Sequence, residues 1–119
     1  MKLQTPVADM PCKVGISYKD KIMMLGSCFS DNIGSRLKNY GFDVCVNPFG
    51  TLYNPLSIAQ AINNQLPTTN DQLPLVEYDG LWHSMAHHGS FSRPTKEEAE
   101  QAVRASVETM QKALEKATV

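Results

Sequence analysis

A layered α/β fold with a parallel strand pair at its start is what this 119-residue sequence predicts. Three observations predict it. An apolar run, Lys21 to Gly26, leads directly into a helical pattern and then into the alternating stretch "FDVCV". The dipeptide Asp79-Gly80 sits between apolar-rich flanks, the signal of a tight hairpin. A long amphipathic helix with a complete start signal closes the chain. The resulting order of strand, helix, strand, helix, hairpin and helix builds a sheet covered by helical layers.

Residues 1–20 contain Pro6, Pro11 and Gly15 and predict an irregular arm with room for one short edge strand. Lys21 to Gly26 is apolar on both faces, as a strand buried between two layers is. From Ser27 the pattern is helical: Phe29, Ile33 and Leu37 recur at one-turn spacing, Asp31 stands in the first turn, and Gly41 is a natural stop. In "FDVCV" Phe42, Val44 and Val46 share one face, with Asp43 and Cys45 on the other. Asn54-Pro55 predicts a helix start after the turn-rich "NPFGTLYNP"; the helix should run to Gln65 with Leu56, Ala59, Ile62 and Leu66 inward. "LPTTNDQLP" and "MAHHGSFSRP" read as loops on either side of the hairpin. Thr95 and Glu98 form a capping box, and Ala99, Val103, Val107, Met110, Leu114 and Ala117 make a stripe of period 3.6. A crossover helix of this kind normally delivers the chain to another parallel strand. Residues 21–119 therefore read as the front portion of a larger domain, with completion by a partner as the alternative.

Composition excludes several roles. Eleven Lys and Arg balance twelve Asp and Glu, a net charge of -1, so nothing draws the chain to nucleic acid or anionic lipid. The longest uninterrupted apolar run, Ile22 to Leu25, is far too short to span a bilayer. The N-terminus lacks an apolar core and a small-residue cleavage site, which favours a cytoplasmic location while leaving export of a longer precursor open. Cys12, Cys28 and Cys45 form no CxxC pair and no even set, and read as reduced thiols.

The chemistry concentrates at Gly26-Ser27-Cys28. The first N–H groups of a helix lack intrahelical partners, and the helix dipole places about half a positive charge there. A hydroxyl at Ser27 would stand beside donors suited to a developing oxyanion, and Gly26 clears the approach. The full GxSxG elbow pattern is absent. Ser is equally a preferred N-cap, so the junction has a purely structural reading too. Cys28 is the rival nucleophile, since a helix start lowers a thiol's pKa, or else a small apolar residue.

"LGSCFSDNIGSRL", then "GFDVCVNPFGTLYNPLSIAQAI" and "HHGSFS", resemble in order the N-terminal part of the GSCFA family, from about residue 15 to 119. The family is named for Gly-Ser-Cys-Phe-Ala and related to SGNH/GDSL-type hydrolases. Here Ser30 replaces the Ala, a small-for-small change. The resemblance implies a partial three-layer, flavodoxin-like SGNH-hydrolase fold, with Ser27 as nucleophile. It also implies a Gly and an Asn completing the oxyanion hole and an Asp-x-x-His pair activating the serine. No Asp-x-x-His occurs in this sequence; Asp79 and His83 miss that spacing by one residue. A serine without a general base is a poor nucleophile.

Gly50 offers a second oxyanion N–H, and Asn47 or Asn54 an assisting amide; turn and cap chemistry would equally account for all of them. His88 or His87 could line the pocket or lend a base. The H-x3-H pair His83 and His87 follows a turn rather than occupying a helix, so no metal and no cofactor is expected. Two functions follow. The first is a serine esterase or acyl transferase acting on a small-molecule or carbohydrate ester, O-acetylated for instance, and inactive alone. The second is a non-catalytic interaction module whose C-terminal helix needs a partner surface, self-association included.

Overall fold

The computed structural model describes residues 3–63 and 75–119. Strand β1 (Lys21–Met24) pairs in parallel with β2 (Asp43–Val46), aligning Ile22 with Val44 and Met24 with Val46. Between them runs α1 (Cys28–Asn39), so the opening βαβ unit forms as the sequence predicts. Helix α2 (Pro55–Asn63) follows, then the antiparallel hairpin of β3 (Leu75–Tyr78) and β4 (Leu81–Ser84). Asp79 and Gly80 both take positive φ, 52° and 72°, as the tight turn between those strands requires. A short 3₁₀ turn (Gly89–Phe91) leads to α3 (Lys96–Lys116).

The helices lie on opposite faces of β1–β2. Gly34 of α1 meets Val46 so closely that a Cβ there would lie 2.2 Å from the Val46 Cγ2. That contact puts α1 on the face shared by Ile22, Met24, Val44 and Val46. Met23 and Leu25 point the other way, into a core of Phe49, Ala61, Val103, Val107 and Met110 supplied by a loop, α2 and α3. Val103 is 1% exposed and Phe49 2%, so this second layer is tightly closed.

The last residues are hydrogen-bonded to the edge of β1. Alternate residues of a strand turn their peptide groups to opposite edges. Met24 O accepts the Asn47 N–H on the β2 side, while Val119 binds the other edge, its N–H to Lys21 O at 3.3 Å and its C=O from the Met23 N–H at 2.8 Å. That slanted pair around Ile22 is the parallel pattern. Residues 118–119 thus lie along the edge of β1 opposite β2, with the Thr118 N–H also donating to Lys21 O at 2.9 Å.

Several expectations are corrected. Phe29 is 69% exposed; the buried residues of α1 are Ser30 and Gly34, with Ile33 and Leu37 half-buried beside them. In α2, Leu56 (67% exposed), Ala59 and Ile62 face outward, and Ala61 and Ile58 face in. That helix ends at Asn63, so the part of its expected stripe at Leu66, like the loop "LPTTNDQLP", lies outside the described residues. Residues 3–20 form no strand; the arm is held by Tyr18 stacking on Phe42 at 4.4 Å and by Asp20 binding Ser17 and Thr118. The α3 stripe is buried within the chain itself at Ala99, Val103, Val107 and Met110. Among the described residues no helix is long and apolar enough to cross a membrane.

Candidate functional site

The end of β1 is a tightly tied corner. Gly26 adopts φ 149°, which favours glycine, and a Cβ on it would lie 2.7 Å from the Ser30 Oγ and displace that hydroxyl. Its N–H donates to Asn47 Oδ1 at 2.8 Å, and its C=O accepts from the Leu52 N–H at 2.9 Å. Beneath it the Ser30 hydroxyl donates to Leu25 O at 3.3 Å, which is how the serine in place of alanine is accommodated.

Ser27 is the N-cap of α1, half-buried, with extended backbone (φ -75°, ψ -172°). Its Oγ accepts the Phe29 N–H at 3.3 Å. Capping and a chemical role are compatible here: the bond uses one lone pair and leaves the hydroxyl proton and the remaining lone pair available. Because the peptide is planar and trans, anchoring Gly26 C=O to Leu52 aims the Ser27 N–H to the opposite side. Neither the Ser27 N–H nor the Cys28 N–H has an acceptor among the described residues. Two successive open donors thus stand next to the hydroxyl of a half-buried serine at the positive end of a 12-residue helix. The Cys28 side chain is exposed.

The other candidates all make local structural bonds. Gly50 gives its N–H to Asn47 O at 2.8 Å, closing a turn, and its missing side chain makes room for His88, whose Cβ would be 2.4 Å from a Cβ there. Asn54 Oδ1 caps α2 by accepting the Leu56 N–H at 2.8 Å. Asn47 spends its amide on the corner: Oδ1 on Gly26 and Nδ2 on Asp31 Oδ1 at 2.7 Å. The Gly50 N–H and both ends of the Asn47 side-chain amide are therefore engaged within the corner, while Asn54 uses only its oxygen.

The histidines are read from their partners. His87 is 8% exposed, sandwiched against Phe49 (4.2 Å) and Phe91 (4.9 Å). Ser106 Oγ donates to Val103 O, so it accepts from the His87 Nε2–H at 2.7 Å; Nδ1 then accepts the Ser84 hydroxyl at 2.8 Å. Burial drives its pKa down to about 4, and the ring is a neutral cross-link between hairpin and α3. His83 donates Nε2–H to Tyr78 O and accepts Ser92 OH at Nδ1. His88 accepts the Ser90 N–H at Nδ1 (3.2 Å), which in the neutral ring puts the proton on Nε2, a donor rather than a base. Among the described residues no three His, Cys, Asp or Glu side chains cluster as metal ligands.

Sequence reasoning missed Asp31 as a partner of the corner. Its signal was present only as an acidic residue in the first turn, sixteen positions from the amide it binds.

The corner thus joins a capping hydroxyl to two N–H groups without an acceptor among the described residues, at a strand-to-helix junction of an α/β chain. The chain belongs to the GSCFA family, whose model matches residues 21–119. No curated protein and no solved structure matches it.

Proposed function

We propose that this chain is the nucleophile-bearing part of an SGNH-like serine acyl hydrolase with a three-layer, flavodoxin-like core. The observation that carries the reading is the pair of open amides, Ser27 N–H and Cys28 N–H, beside the Ser27 hydroxyl. Ser27 Oγ attacks an ester carbonyl, its proton passes to a general base, and the carbonyl oxygen becomes an anion facing the two amides. Collapse expels the alcohol, which takes up that proton, and leaves an acyl-serine. Water or an acceptor hydroxyl then releases the acyl group. The substrate class is a small-molecule or carbohydrate ester, with O-acetylated sugars the leading case.

The sequence has no Asp-x-x-His, and the hydrogen bonds of His83, His87 and His88 leave no basic ring nitrogen free in their neutral forms. The base is therefore contributed by residues other than these, and the 119-residue chain alone is a slow catalyst. Expressed from its full reading frame, the protein should react with a fluorophosphonate probe, and Ser27→Ala should abolish labelling. Labelling that persists in Ser27→Ala removes this serine from the chemistry.

A further inference from the structure

Asn47 makes four hydrogen bonds from one residue. Its N–H donates to Met24 O (2.9 Å), its C=O accepts the Gly50 N–H (2.8 Å), and its amide joins Gly26 to Asp31. It is 9% exposed and holds φ at 41°, a region asparagine tolerates better than most residues. Closing the turn after β2 needs only the backbone bonds. The side chain reaches sideways instead, to the end of β1 and the first turn of α1.

We propose that Asn47 and Asp31 are positioning residues that set the direction of the Ser27 N–H and hydroxyl; this rests on Ser27 being the nucleophile. A terminal amide has two orientations, with oxygen and nitrogen exchanged. The Asp31 carboxylate only accepts, so it fixes Nδ2 toward itself and Oδ1 toward the Gly26 N–H. With Asp31 removed, the flipped amide would set NH₂ against N–H at Gly26. Gly26 then loses one of its two ties, and a glycine has the widest backbone freedom to exploit that loss. The peptide joining Gly26 to Ser27 would turn, carrying the first oxyanion donor with it. Ser27 itself contacts neither side chain in this scheme; both act through Gly26.

The test uses the full-length protein and a fluorophosphonate, with the labelling rate resolved into saturable affinity and maximal rate. Asn47→Gly keeps the positive φ accessible while deleting the amide, and Asp31→Ala removes the carboxylate. Each should lower the maximal rate roughly 10- to 100-fold, with the affinity for the probe within about two-fold of wild type. Asp31→Asn, whose side-chain oxygen can still accept Nδ2–H, should restore most of the rate. Hydrogen exchange at the Gly26 amide should accelerate in Asn47→Gly and Asp31→Ala and stay slow in Asp31→Asn. Variants that label like wild type overturn the positioning role while leaving Ser27 as nucleophile. Equal losses in Asp31→Asn and Asp31→Ala, tracking the melting temperature, overturn it as well. Wild-type protein that fails to label at Ser27 overturns the nucleophile reading first, and the positioning role with it.

Discussion

Acidification should loosen this protein through His87. The ring lies between Phe49 and Phe91 and is bonded only to the neutral hydroxyls of Ser84 and Ser106, so nothing in contact with it compensates a positive charge. Its pKa falls from the ordinary 6.5 to about 4. Between those values the unfolded chain holds the proton and the folded chain does not. Stability therefore rises with pH across that window and is fully present above 6.5. A gap of about 2.5 units corresponds to roughly 3 kcal/mol lost by pH 4, at about 1.4 kcal/mol per unit in the steepest part. Urea unfolding at pH 7.5, 6.0, 5.0 and 4.5 reads this directly. His87→Gln keeps hydrogen-bonding groups, cannot charge, and should flatten the curve between pH 6.5 and 4.5 at some cost in stability at neutral pH. An equally steep acid slope in His87→Gln would refute the reasoning.

Two further predictions concern packing and thiols. Gly34→Ala should destabilise by about 1–3 kcal/mol despite its better helix propensity, because the new methyl would overlap Val46; adding Val46→Ala should recover part of the loss in a double-mutant cycle by thermal unfolding. Burial raises the Cys45 thiol pKa, with Lys38 opposing in part, whereas Cys12 and Cys28 are exposed. Iodoacetamide at pH 8 should therefore modify Cys12 and Cys28 before Cys45, as followed by peptide mass spectrometry.

What could be read from the sequence was local and periodic. The Asp79-Gly80 turn, the Thr95 cap with its bond to the Glu98 N–H (3.3 Å), and the buried stripe of α3 all follow from residues close together in the chain. In α1 the expected pattern holds at the half-buried Ile33 and Leu37 and fails at the bulky Phe29. The helix turns Ser30 and Gly34 to the sheet, and the absent side chain of Gly34 lets it approach; Phe29, one position away, points outward. In α2 apolar residues occupy more than one face, and periodicity alone does not choose between Leu56–Ala59–Ile62 and Ile58–Ala61. The Ser27 corner was legible as a strand–Gly–Ser–helix junction. Its ties were not: Gly26 to Asn47 spans 21 positions and His87 to Ser106 spans 19, and both exist only once the layers have packed. Asn47, Asn54 and Gly50 each hold backbone through at least one bond.

The central claim is that Ser27, rather than the thiol beside it, takes the acyl group. Full-length protein quenched in acid during turnover of an activated acetyl ester and digested with trypsin gives the peptide Ile22 to Arg36, which carries Ser27, Cys28 and Ser30 together. Fragmentation should place the acetyl group on Ser27, with none gained by Ser27→Ala. An acetyl group on Cys28 or Ser30, or a peptide unmodified while ester is consumed, would contradict the account.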